Sequence, residues 1–311
     1  MRNKKEKSKI KNPKSKRGLF NYLIIYTLLG FWILTFGFML FGCASQSTTT
    51  YYNYSPSWTR DTKVVFIAGA QTTGQAYTEN IKTIYPTGTG ESASFKDVSE
   101  EPAYQMSCSP ARDYAAYLAG LSNATYNKIV IHNISAEAHS GAEDVEIIFS
   151  PRIKSFDWSN NGNQIVYCTT TEVRVRDWND YTGATDTLVT AESGLTFVSW
   201  KYGSRIAFVH NSLLSLIYSD GSGRVDLSAA LSVDKPQISP ANTLEVYGLI
   251  GTAYVKVDTN VLTSAEVKAS FSGNLPRLSP AGDRVVYSKT GTDSGIYILY
   301  TATGTEETLK Q

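Results

Sequence analysis

Between Tyr51 and the C-terminus one short pattern recurs six times, and that recurrence limits the fold of this chain more than any other property. Its fullest copy is Ser279-Pro-Ala-Gly-Asp-Arg-Val-Val-Tyr287. The aromatics closing the copies are Phe66, Tyr117, Tyr167, Phe208, Tyr247 and Tyr287, spaced 51, 50, 41, 39 and 40 residues apart. Such a period belongs either to a propeller blade or to a helical repeat. Turn chemistry separates the two. A Ser stands eight residues before the aromatic in four copies (Ser109, Ser159, Ser239, Ser279), followed by Pro, Asn or Gly. Pro presets φ and Gly or Asn accepts positive φ, which makes these tight turns between strands.

The segments after the turns, such as Ile165-Val-Tyr167 and Val285-Val-Tyr287, are short, β-branched and aromatic. A third strand follows in most copies, as in Lys128–His132 and Ile296–Tyr300, and a short fourth in Thr187–Val189, Val225–Leu227 and Thr308–Leu309. Gly-containing turns such as Asp220-Gly-Ser-Gly223 separate the last two strands. Four short antiparallel strands per unit predict an all-β, six-bladed β-propeller. Aromatics recurring at blade spacing are expected to pack between blades. Trp58 and Trp200 stand where Ser stands elsewhere, which predicts turns one residue shorter.

The pattern Ser-Pro-x-Gly-x-x-Ile/Val-x-Tyr/Phe, with its following strand and turn, resembles the WD40-like (PD40) repeats of the TolB propeller family over most of residues 51–311. That resemblance implies a propeller with envelope protein partners. The amino-terminal α/β domain of TolB has no counterpart here, because the repeats begin within about ten residues of Cys43.

Nine basic side chains and one acid, Glu6, occupy the first eighteen residues, followed by a charge-free run from Leu19 to Gly42. Basic then apolar is the layout of an export signal or an amino-terminal anchor. The core Leu23–Phe41 is long enough for a spanning helix. Leu40-Phe-Gly-Cys43 resembles the bacterial lipoprotein box, which implies lipid attachment at Cys43; an uncleaved anchor is the alternative. The expected organisation is a basic leader with a hydrophobic membrane or signal helix (1–42), a polar tether (43–53) and the propeller (54–311), standing on the non-cytoplasmic, periplasmic or extracellular side of a bacterial cell envelope. Part of Thr50–Tyr54 is an alternative partner for the last blade.

The whole chain has 29 Lys plus Arg and 28 Asp plus Glu; without the leader 20 remain against 27, a net charge of about −7. That balance offers no basic patch for nucleic acid. Cys108 and Cys168 fall in different blades and are expected as free, buried thiols. No Gly-x-Ser-x-Gly elbow or HExxH occurs, and of the three His, His132 and His210 read as structural residues and His139 as solvated, so neither cofactor nor metal is expected. Trp178, in Arg176-Asp-Trp-Asn-Asp-Tyr181, stands off the repeat register and, with Asp177 and Asp180, forms the candidate contact loop. The longer first two repeats place extra residues in Gly69–Asn80 and Ser135–Glu146, where binding loops protrude from a rigid scaffold.

These features point to a membrane-tethered, non-catalytic interaction module for an envelope protein or peptide. The alternatives are an envelope enzyme, glycan-cleaving or lactone-hydrolysing, that uses carboxylates in the channel, and a structural surface or polymer-anchoring protein. Three or more Asp, Glu or Asn side chains converging in the channel would favour the enzyme; a mixed or apolar lining would favour binding.

Overall fold

The computed structural model describes residues 49–311 apart from 93–95, 98–102, 121–126, 136–144, 149–151, 179–185, 228–231, 261–264 and 271–272. The leader, Cys43, His139 and Asp180 lie outside the described residues. Six four-stranded antiparallel sheets follow one another along the chain, each built from consecutive strands: blade one spans 49–97, blade two 103–148, blade three 155–191, blade four 195–226, blade five 234–270 and blade six 274–310. The inner strands are Thr49–Trp58, Ala103–Cys108, Ser155–Trp158, Leu195–Ser199, Asp234–Ile238 and Asn274–Leu278. The result is a six-bladed β-propeller. No α-helix occurs among the described residues, only a 3-10 turn at Gly291–Asp293.

The alternation of side chains along a strand builds the core between blades rather than within them. In blade three, Ile165 and Tyr167 join the cluster shared with blade two, whereas Val166 and Cys168 join the one shared with blade four. Each blade boundary carries a buried cluster of this kind. The recurring aromatics Phe66, Tyr117, Tyr167, Phe208 and Tyr287 all face the preceding blade and are at most 3% exposed. Burying each contributes roughly 2–3 kcal/mol.

Blade five departs from the counting. Ser239 donates its backbone N–H to nothing nearer than Glu245, six residues on, whereas Ser109, Ser159 and Ser279 close on Tyr114, Gln164 and Arg284, five residues on. The added residue shifts the strand by one and so exchanges its faces. Gly248, not Tyr247, takes the place of the recurring aromatic, against Val233 and Pro236. Tyr247 turns to blade six and stacks on Tyr254 (5.9 Å between ring centroids). In blade one the shorter turn expected from Trp58 is present: Thr59 closes on Lys63, four residues on, at 2.9 Å.

The ring closes between blades six and one by side-chain packing, not by exchange of strands. Thr49–Trp58 pairs with Val64–Thr72 of its own blade, so residues 49–53, expected in the tether or against the last blade, belong to the first sheet. Trp58, Val64, Phe66 and Ile84 pack on Val286, Ile296, Ile298 and Leu309. The Trp58 indole N–H donates to the Arg277 carbonyl (3.0 Å), the bond that Trp158, at the same register, makes to Ser107 of the preceding blade (2.9 Å).

Candidate functional site

The inner strands line a central channel, and one residue at the turn-side end of each, last in blade four and last but one in the others, points into it: Ser57, Ser107, Asp157, Ser199, Gln237 and Arg277. All six are polar and at most 6% exposed. This is the throat of the propeller. Most neighbours around it are bonded: Ser57 Oγ accepts from Cys108 N (3.0 Å), Ser107 Oγ donates to Asp157 Oδ1 (2.7 Å), and Gln237 Oε1 accepts from Leu278 N (2.5 Å). Asp157 Oδ2 accepts from Ser199 Oγ (3.0 Å) and from the backbone N–H groups of Trp200 (3.0 Å) and Lys201 (3.2 Å). Four donors thus hold the one carboxylate of the ring in a fixed orientation. The lining of the throat is mixed rather than acidic.

Blade four replaces the Ser-Pro of blades two, five and six with Lys201-Tyr202, and both side chains turn inward. Lys201 Nζ crosses the channel to the Trp58 carbonyl at 3.2 Å. Burial lowers the affinity of Lys201 and Arg277 for their protons and raises the Cys108 thiol beside them. The throat is therefore closed on its turn side by a cationic plug.

At the opposite end, where the inner strands begin, lies a groove of about 570 Å³. One wall carries Tyr52 and Tyr54 of blade one, Tyr77 from its hairpin and Tyr104 of blade two; the other carries Leu275 and the turn 288–291 of blade six. Tyr52 and Tyr104 are 38% and 41% exposed, and Tyr77 meets Tyr52 edge-on at 6.2 Å. The Tyr54 phenol donates to buried Glu79, whose second oxygen accepts from Ala103 N at 3.3 Å, tying blade two to the tyrosine wall. Burial, reinforced by Glu79, pushes the Tyr54 and Tyr77 phenols far above the ordinary range, so these two stay protonated.

Between groove and throat the inner strands bulge. Ser55, Gln105, Lys235 and Leu275 take left-handed φ values of 47–50° at equivalent places, beside register shifts in their strands. Such bulges cost about 1–3 kcal/mol each and re-aim the side chains around a site. In three of the four the next residue is Pro (Pro56, Pro236, Pro276), which has no N–H to leave unpaired.

Trp178 is not an exposed contact. It is 5% exposed, donates to the Gly162 carbonyl at 2.7 Å, and packs edge-on against Trp158 and Tyr114. It sits off the repeat register because it seals the turn of blade three from below. Asp177 is exposed at that same end and, like Trp178, does not line the groove. The Gly69–Asn80 extension does: it is a paired hairpin that delivers Tyr77 and Glu79 to the groove wall. His132 and His210 are buried in strands, and Cys108 and Cys168 are buried free thiols. Among the described residues no group of three His, Cys, Asp or Glu is arranged to hold a metal ion.

The throat ring carries its signal in the sequence, since a polar residue stands last or last but one in every inner strand. The groove carries almost none, because its tyrosines lie outside the repeat.

No family model matches the chain, and no curated protein matches it in sequence. Among solved structures, one described as a nidogen/laminin complex superposes with a TM-score of 0.57 over 83% of this chain and 90% of the matched one, at 9% identity. A second, the isopeptidase AtxE2 in its apo form, superposes with a TM-score of 0.43 over 85% of this chain and 53% of its own, at 12% identity.

Proposed function

We propose that this protein is a non-catalytic interaction module of a bacterial cell envelope, tethered to the membrane through a lipid on Cys43 or through its apolar leader, and that it holds a protein or peptide segment in the tyrosine groove. The observation that carries this reading is the groove itself: concave, walled by half-exposed tyrosines from two blades, with one cation, Lys289, on its far side paired to Glu306, and positioned by a rigid ring. Tyrosine offers a large contact area at low cost in side-chain entropy, together with a hydroxyl at its tip, which suits a peptide with alternating apolar and polar groups. The throat argues the same way, since its single carboxylate is fully engaged by donors. The repeats resemble those of TolB, a family of envelope propellers, and the basic-then-apolar leader supports a position outside the cytoplasm. One solved structure of similar fold is that of a nidogen/laminin complex; at 9% identity it supports the fold and not a choice of partner.

The test is an envelope pull-down after crosslinking in native cells, comparing the full chain with Cys43→Ala and with a Tyr52→Ala/Tyr104→Ala double variant. The expected result is a stoichiometric envelope protein, recovered at least about tenfold less with the tyrosine variant, since truncating aromatic anchors costs more than about 1 kcal/mol apiece. Loss of recovery with Cys43→Ala would identify the tether. Equal recovery with and without the tyrosines would overturn the groove as the binding site.

A further inference from the structure

We propose that the throat of the propeller is a binding site for one small monatomic anion, chloride or another halide, that cross-links blades four and six. The groups facing the throat are Asp157, Lys201, Tyr202, Gln237 and Arg277. Asp157 is one negative charge against the two positive charges of Lys201 and Arg277, which leaves an excess cation in a region closed to water: Arg277 is 4% and Lys201 7% exposed. Buried charges are ordinarily paired and buried donors ordinarily bonded. Arg277 is neither. Its Nε and Nη2 atoms have no hydrogen-bond acceptor, and it makes no ion pair with Asp157, whose oxygens are occupied by four other donors. The Tyr202 hydroxyl is also buried without a partner. The guanidinium keeps its proton under any ordinary condition, so the charge on Arg277 itself is not relieved by titration.

Two guanidinium N–H groups and a phenol O–H around an excess positive charge are a donor set for an anion. The cavity they share is about 10 Å³, room for a single atom and not for phosphate, sulfate or a carboxylate group. A water molecule fits the size but leaves the charge; a halide answers both. Held there, it joins Tyr202 of blade four to Arg277 of blade six across the channel, and Arg277 is the residue whose carbonyl receives the ring-closing indole of Trp58.

The experiment uses the full chain in detergent, with thermal unfolding followed in sodium chloride, sodium bromide and sodium gluconate at equal ionic strength, and bromide-soaked crystals measured at the bromine edge. Chloride and bromide are expected to raise Tm saturably by about 3 °C over gluconate, which is too large to enter, with an anomalous peak beside Arg277 Nε. Arg277→Met should abolish the halide dependence. Should that variant fail to fold, Tyr202→Phe, which keeps the ring and removes one donor, should weaken halide affinity several-fold. A wild-type Tm that is the same in all three salts, or bromide crystals without a peak in the throat, would overturn the proposal.

Discussion

Trp58 has two roles that substitution can separate. Its ring fills the boundary between the last blade and the first, and its N–H holds the Arg277 carbonyl. Trp58→Phe should therefore lose about 1 kcal/mol, the net worth of a buried hydrogen bond plus a small packing defect. Trp58→Ala should lose about 3–5 kcal/mol by opening a cavity where the ring closes. Urea denaturation midpoints at constant slope measure both, and equal losses for the two variants would refute the division. Gly248 makes the opposite demand. A Cβ there would sit 2.4 Å from Val233 Cγ1 and 2.9 Å from the Asp234 carbonyl oxygen, so Gly248→Ala should cost about 1–3 kcal/mol through overpacking. Were Gly248→Ala neutral in the same assay, the one-residue shift assigned to blade five would be wrong.

At the scale of the element, the hairpin of blade one separates binding from folding. Its strands Val64–Thr72 and Thr78–Ile84 stay paired well beyond the blade core, and its tip delivers Tyr77. Tyr77→Ala removes the edge contact to Tyr52 from a half-exposed site, so it should change stability by less than about 0.5–1 kcal/mol while weakening partner capture several-fold. A large fall in Tm with unchanged capture would make the hairpin a structural brace instead.

The elements also explain what the sequence could and could not reveal. Ser-Pro-x-Gly turns are legible because each position answers a backbone requirement, as Gly282 does with φ of +77°. The face of a strand is legible only when the turn before it has the expected length, and the extra residue between Ser239 and Glu245 made Tyr247 look like the recurring aromatic. Trp178 misled for a related reason, since a residue off the repeat register can be sealing a turn as readily as meeting a partner. The groove tyrosines were hidden because proximity across three blades is a property of closure, to which no single copy of the repeat refers.

The whole molecule is a ring of interblade clusters with an unusual share of buried phenols, and its alkaline limit follows from them. Burial raises the proton affinity of Tyr54, Tyr167, Tyr202 and Tyr254 well above the usual range, with Glu79 and Asp186 adding to it at Tyr54 and Tyr167. Below the unfolded phenol pKa of about 10 their contribution to stability is fully present. As pH rises beyond that value the unfolded chain loses protons that the folded one keeps, so stability falls by about 1.4 kcal/mol per pH unit for each such tyrosine. Absorbance at 295 nm should show these phenols ionising together with unfolding above pH 10; their ionisation in a chain that remains folded would contradict the burial described.

The two ends of the channel differ in chemistry: a throat lined by Lys201 and Arg277, and a groove walled by tyrosines to which the proposed partner is assigned. The most direct test is site-specific photocrosslinking in native cells, with the reactive residue placed at Tyr104 in the groove or at Leu244, equally exposed in a turn at the opposite end. The account predicts one protein crosslinked from position 104 and none from 244. Crosslinks from 244 with none from 104 would place the partner on the other face and contradict it.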